Sequence, residues 1–182
     1  MRICVYGAAS EQIAPCFKDE AYELGKRIAA SGGEIVYGGG STGVMGAVSR
    51  GAKEAGGNVI GIAPRFFDDV QGVLDKNVTE LIFTDTMRER KAKMEELADA
   101  FVMAPGGIGT FEEFFEILTL RQLSRHDKPI AVLNTDGYYA PLDAFLKQSA
   151  QRGFIAQENL KLYEMCESAA DAVAYLKRVL AR

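Results

Sequence analysis

The chain has 182 residues, enough for one sizeable core and too few for two domains of ordinary size. Its formal charge of -4 offers no cationic surface of the kind a polyanion needs, so nucleic acid is not expected as a partner. Three cysteines (Cys4, Cys16, Cys166) without CxxC spacing, and one histidine (His126), argue against a disulfide framework and against an imidazole-built metal centre.

The opening "MRICVYGAAS" holds only a short apolar run, without the longer apolar region of a signal peptide. No segment approaches the roughly 18 apolar residues of a membrane span, so a cytoplasmic, reduced protein is expected. Strand-length apolar runs then alternate with stretches of helical period. "RICVY" (Arg2 to Tyr6) predicts a first strand, and Phe17, Ala21, Leu24 and Ile28 recur on one helical face. "EIVY" (Glu34 to Tyr37) predicts the second strand, followed by a glycine loop that runs into a helix. "NVIGIA" (Asn58 to Ala63) predicts the third, stopped by Pro64, and residues 65–76 read as a mobile loop.

Beyond it, "VTELIFTD" (Val78 to Asp85) predicts a strand, with Thr86 or Asp85 placed to cap a helix from Met87. "AFVMA" is the next strand, then "PGGIGT" and a helix to about Ser124. "KPIAVLN", a helix over Tyr138 to Arg152, a strand over Leu160 to Cys166 and a closing helix from Ser168 complete the pattern. Strand and helix alternating at this rhythm predict a single α/β Rossmann-like domain over residues 1–182, with a mostly parallel sheet covered by helices on both faces. Ligands of such sheets bind beyond the carboxyl ends of the strands. Three glycine-rich or small-residue loops fall there: Gly7 to Ser10, Gly38 to Gly43, and Gly106 to Thr110.

"GGGSTGVMG" contains Gly38-x-Gly40-x-x-Gly43, the dinucleotide pattern, but after the second strand, and the third strand ends in Ala63-Pro64 rather than an acid. NAD is therefore not expected; the loop is either a tight turn under a packed helix or a substrate contact. "PGGIGT" carries more information. Pro105 ends the strand, and the glycines let backbone approach a ligand without Cβ interference. The helix that follows aims unpaired N–H groups and a partial positive charge at whatever lies there, a phosphate site that needs no lysine.

The helix itself is unusual. Phe111, Phe114, Phe115 and Leu118 share a face expected to pack on the sheet, while Glu112, Glu116 and Thr119 line a polar face. Glu113 has Ile117 and Leu120 at i+4 and i+7, which places a carboxylate in a second apolar stripe opposite the aromatic one. In the preceding helix Arg90 falls among Met87, Met94, Leu97 and Ala98. Each charge is costly to bury alone and tolerable beside the other or beside an ionic ligand. The alternatives are a structural ion pair and a site in which Arg90 handles phosphate or leaving-group charge while Glu113 faces a developing cation. His126, after the helix C-terminus, suits the helix dipole and reads as structural.

"MRERK" followed by "PGGIGTFEE" resembles the signature of the LOG ("lonely guy") family, the cytokinin riboside 5'-monophosphate phosphoribohydrolases, whose motif is PGGxGTxxE with an upstream Arg-Lys pair. Many bacterial members carry the label "possible lysine decarboxylase". The likeness extends to "VYGGGSTGVMGAVS", "HDKPIAVLN.DGYY" and "RGFI", and so covers nearly the whole chain. It implies hydrolysis of the N-glycosidic bond of (N6-modified) adenosine 5'-monophosphates, releasing free base and ribose 5-phosphate, with neither metal nor organic cofactor. It implies Arg90 and Glu113 as the catalytic pair. Gly106, Gly107, Gly109 and Thr110 would hold the 5'-phosphate, with Lys91, Glu112 and Thr119 as further substrate contacts. Ile108, Gly39, Gly40, Ser10 and Met87 complete the expected contacts. Members of the family are dimers or larger, with the site near the subunit interface.

Two departures stand out. The family's first loop usually reads like "CGSS", whereas Gly7-Ala8-Ala9-Ser10 has lost hydroxyls that would meet the nucleotide. Residues 65–76 also lack the usual substrate-binding glutamate, for which Asp68, Asp69 or Gln71 are the available substitutes. A non-catalytic carrier of nucleotide or molybdenum cofactor, using the same loops without hydrolysis, is the competing expectation.

Overall fold

The computed structural model describes residues 1–68 and 70–181. Among them, strands β1 (Arg2–Tyr6), β2 (Glu34–Tyr37), β3 (Val59–Pro64), β4 (Glu80–Thr84), β5 (Ala100–Met103), β6 (Ile130–Leu133) and β7 (Glu164–Cys166) form one sheet in the order β4-β3-β2-β1-β5-β6-β7. Every neighbouring pair is parallel. The chain builds outward from β1 to β4, then returns to the other side of β1 with β5. The switch point of the sheet therefore lies between β1 and β5, where open α/β sheets leave a crevice at the strand ends.

The strands read as continuous apolar runs because both faces are covered. Alternate residues serve different layers. Ile3, Val5, Ile35, Tyr37 and Val102 pack against helices α1 (Pro15–Ala30), α2 (Gly43–Glu54) and α6 (Ala169–Leu180). Cys4, Tyr6, Val36, Ile62 and Met103 pack against α3 (Met87–Leu97), α4 (Ile108–Gln122) and α5 (Ala140–Gln151). Cys4 and Cys166 are buried and Cys16 is exposed, all as free thiols. Among the described residues no helix is long and apolar enough to cross a membrane.

Four boundaries differ from the sequence reading. Pro64 is the last residue of β3 rather than its stop, paired with Thr84 where the ladder ends. Val78 and Thr79 precede β4 instead of joining it. The final strand holds three residues, and Gln157–Lys161 before it is a 3-10 turn. Of the segment 65–76, where a mobile loop is expected, residues 65–68 and 70–76 are described and are tied down. Arg65–Phe67 forms a 3-10 turn, Ser41 N–H donates to the Val73 carbonyl, and Asp75 N–H donates to that of Gly39. The Asp75 carboxylate then accepts from Ser49 Oγ at 2.8 Å and Lys53 Nζ at 2.7 Å, both on α2.

Helices α1 and α2 lie backbone to backbone. A Cβ on Gly25 would fall 2.0 Å from the Val48 carbonyl oxygen, and one on Gly51 would fall 1.9 Å from that of Tyr22. Neither obstacle is a side chain that can swing away. Gly25→Ala should therefore lower the unfolding free energy by about 2–3 kcal/mol, the upper range for overpacking, measured by urea denaturation; a change within a few tenths would show that the helix pair shifts freely.

Candidate active site

At the carboxyl end of the sheet the loops after β1, β2 and β5 converge on a pocket of about 690 Å³, within the usual range for small-molecule sites. Its lining includes Ala8 to Ser10, Gly38, Gly40, Gly107 to Thr110, Arg90 and Glu113, with Phe67, Gln71 to Leu74 and Met87 across the opening.

Arg90 is aimed inward by the start of α3. Thr86 caps that helix: its hydroxyl accepts from Glu89 N–H at 3.1 Å, and the Glu89 carboxylate accepts from Thr86 N–H at 3.3 Å. One turn later the Arg90 side chain crosses the ends of β2 and β3. Its Nε donates to the Ile62 carbonyl at 3.0 Å, Nη2 to that of Gly38 at 3.4 Å, and Nη1 to Glu113 Oε1 at 3.3 Å. Three guanidinium N–H groups are thereby used, and the remainder can meet a ligand. Gly38 is what makes room, since a Cβ there would stand 1.8 Å from Nη2. The second strand's glycine loop thus serves the arginine by leaving space.

Glu113 arrives from the second turn of α4 and is 8% exposed. Burial raises its carboxyl from the usual glutamate range to about 7, and Arg90, the strongest opposing influence, restrains the rise. A carboxyl in that range can accept or release a proton near neutrality. Its setting differs from the helical-wheel expectation. Thr110, Glu113, Phe114 and Ile117 form one buried line along α4, and Phe115 is 39% exposed. The carboxylate lies in the same stripe as Phe114 and not in a separate one opposite it.

Two helix N-termini face the pocket region, and they differ. At α2 the Glu11 carboxylate accepts from Gly43 N–H at 2.9 Å and pairs with Lys18, so the chain supplies its own anion. That bond, more than Lys18, holds the Glu11 carboxyl below its ordinary range. At α4 the cap residue is Gly107, with no side-chain cap, and Gly107, Ile108 and Gly109 are exposed. First-turn N–H groups have no acceptor within their own helix. The open, positive end belongs to the "PGGIGT" loop.

Several expected contacts lie elsewhere. Gly106 is packed behind the loop, where a Cβ would fall 2.1 Å from Thr110 Oγ1. Gly39, at φ +74°, turns the chain beneath Leu74 and lies off the pocket wall. Lys91 ties α3 to α4 through Glu112 and, at 2.7 Å, Glu116, and Thr119 is exposed farther along α4. Of the candidate replacements in the third-strand loop, Gln71 lines the pocket and Asp68 pairs with Lys76 at 2.8 Å. Asp69 lies outside the described residues. Thr42, Met45, Phe67 and Leu74 line the pocket without having been expected there; only the glycine pattern around Thr42 and Met45 gave a signal. His126 accepts the structural reading, with Nε2 2.9 Å from the Ile117 carbonyl.

The strand order and the pocket beyond the β1 and β5 ends define a Rossmann-like ligand-binding protein. A family model described as "Possible lysine decarboxylase" matches residues 45–176. The cytokinin riboside 5'-monophosphate phosphoribohydrolase LOG of Oryza sativa subsp. japonica is 39% identical over 176 residues, which cover 97% of this chain and 72% of that protein. The enzyme of the same description from Rhodococcoides fascians is 39% identical over 154 residues, 85% of this chain and 78% of its own. The chain belongs to the LOG family of cytokinin riboside 5'-monophosphate phosphoribohydrolases. Among solved structures, the molybdenum cofactor carrier protein of Chlamydomonas reinhardtii superposes with a TM-score of 0.77 at 28% identity, over 100% of this chain and 98% of that one.

The raised Glu113 carboxyl has a consequence for stability. A group whose folded pKa exceeds its unfolded value favours folding while protonated, so the contribution is full below about pH 4.5 and is lost as pH rises through about 7. Wild type should lose on the order of 3 kcal/mol between about pH 4.5 and alkaline pH, and Glu113→Gln, whatever its level, should not show that fall. Denaturation midpoints across that window test it, and parallel curves for the two proteins would refute the shift.

Proposed function

We propose that this protein hydrolyses the N-glycosidic bond of adenosine-type nucleoside 5'-monophosphates, N6-modified or plain, releasing free base and ribose 5-phosphate. Residues 1–182 act as one catalytic domain. The observation that carries the reading is the buried Arg90–Glu113 pair beside an uncapped helix N-terminus, in a chain whose relatives are named phosphoribohydrolases.

The 5'-phosphate is held at the start of α4, where the Gly107, Ile108 and Gly109 N–H groups and the Thr110 hydroxyl converge with the helix dipole. The ribose then lies over Glu113, and the base extends toward Phe67, Leu74 and Met87. As the C1'–N bond breaks, positive charge grows on the ribosyl carbon and ring oxygen. The ionised Glu113 carboxylate stabilises that charge in a site with little water. Glu113 also takes a proton from the attacking water, whose oxygen becomes the C1' hydroxyl, and gives it up to solvent, from which the departing base gains one. The unused Arg90 N–H groups hold the phosphate or assist departure of the base. Lysine decarboxylation, the activity in the family model's description, normally needs an electron sink held through a lysine Schiff base. Among the described residues no lysine lines the pocket.

The protein acts as a homodimer or larger homo-oligomer with the site near the interface. Ile108 is 86% exposed and Leu123 60%, and with Phe115 they leave apolar surface along the outer side of α4. A second copy covering that side would bring Thr119 and Glu112 to a shared site. Cytoplasmic location is part of the same proposal. A carrier role draws support from the Chlamydomonas neighbour, but a carrier needs only the cradle, and a buried carboxyl tuned to about 7 beside an arginine serves reaction better than storage.

Incubation with AMP and with isopentenyladenosine monophosphate should release free base from at least one, and Glu113→Gln should lower kcat by a factor of about 100 or more while leaving inhibition by inorganic phosphate unchanged. Full activity in that variant would remove Glu113 from the reaction; binding of a pterin nucleotide with no release from either substrate would favour the carrier. Light scattering should give at least twice the 19.8 kDa chain mass, and a monomer at assay concentration would overturn the shared site.

A further inference from the structure

The turn after β6 reaches the phosphate loop through two tyrosines. Asn134 closes that turn: its N–H donates to the Cys166 carbonyl at 2.7 Å, and its Oδ1 accepts from Tyr139 N–H at 2.8 Å. Asp136 and Gly137 both adopt left-handed conformations, with φ of 53° and 69°. Asp136 is one of only two such non-glycine residues among those described, and strain of this kind persists where the surroundings fix it. The turn delivers the Tyr138 hydroxyl to the Gly106 carbonyl at 2.8 Å and the Tyr139 hydroxyl to the Ala104 carbonyl at 2.9 Å.

These are the carbonyls on either side of Pro105. In a trans peptide the carbonyl of one residue and the N–H of the next point in opposite directions, and no peptide bond among the described residues is cis. Fixing the Gly106 carbonyl therefore fixes the Gly107 N–H on the other side, among the donors of the cradle. The neighbouring plane is fixed in the same way, because Ala8 N–H donates to the Pro105 carbonyl at 3.0 Å. A Gly-Gly peptide without such anchors would rotate freely and lose its aim. Tyr138 is itself kept in place by edge-on packing with Phe17 at 5.6 Å and with Tyr139 at 4.9 Å.

We propose that Tyr138 is a positioning residue for phosphate recognition, holding the Gly106–Gly107 peptide so that its N–H points at the ligand. This rests on the reading of the α4 N-terminus as the phosphate cradle. Tyr138→Phe keeps the ring and its packing and removes only the hydroxyl. It should weaken competitive inhibition by inorganic phosphate about five- to tenfold, as for loss of one well-placed donor. KM for AMP should rise more than kcat falls, while inhibition by free adenine and the thermal midpoint stay unchanged. Ile108→Pro serves as the direct comparison, because proline is tolerated at the first helical position and deletes one cradle N–H outright.

Phosphate inhibition weakened in both variants supports the proposal. Weakening in Ile108→Pro alone overturns the role of Tyr138 and leaves the cradle standing. If phosphate inhibits neither the wild type nor either variant, the cradle itself fails and the proposal falls with it. Equal weakening for phosphate and adenine in Tyr138→Phe would mean general distortion and would also overturn it.

Discussion

The pairing of Arg90 with Glu113 is the constraint around which the carboxyl end of this protein is arranged. Two charges in a nearly water-free position cost several kcal/mol each to desolvate, and one left without the other is strongly destabilising. The chain meets that requirement with backbone as much as with side chains. The Ile62 carbonyl of β3 and the Gly38 carbonyl just after β2 accept from the guanidinium, Gly38 leaves space for it, and Lys91 ties the two helices that carry the pair. The single 3.3 Å contact leaves Glu113 incompletely neutralised, which is why burial can hold its carboxyl near 7.

The glycine loops divide the remaining work. Three approach the same pocket, yet the loop after β2 accommodates the arginine, the loop after β1 lies close on α2 at Gly7, where a Cβ would fall 2.4 Å from Val44, and the loop after β5 presents open N–H groups. The distinction is electrostatic. Glu11 already occupies the start of α2, whereas among the described residues no side chain caps the start of α4. The Asp75 network belongs to the same arrangement, because it anchors the segment that forms the wall opposite the cradle to the back of α2.

Much of this was legible in the residues. Uninterrupted apolar strands announced a sheet covered twice, and the out-of-place Arg90 and Glu113 announced each other before any geometry was known. The reading failed where one dimension could not carry the answer. A helical wheel grouped Phe115 with Phe114 and set Glu113 apart, although the buried line of α4 runs through Glu113, Phe114 and Ile117 together. Hydrophobicity alone could not say where that arc ended, since Phe115 is as apolar as Phe114. Residues 65–76 read as loose because their anchors, Ser41, Ser49, Lys53 and the Gly39 carbonyl, are distant in sequence and polar in character. Lys91 belongs to a motif and Thr119 is expected from the family resemblance, but neither says which neighbour a side chain will choose.

Glu11 has one more implication. With a carboxylate fixed at one glycine-rich helix start and, among the described residues, no side-chain cap at the other, the pocket has a built-in polarity. On the proposed reading, an elongated ligand bearing a single anionic terminus would be repelled from α2 and drawn to α4. Directionality of that kind needs no residue that recognises the neutral end. The wall near Phe67 and Leu74 could then vary with the ligand while, on that reading, the register of the reacting bond over Glu113 would stay the same.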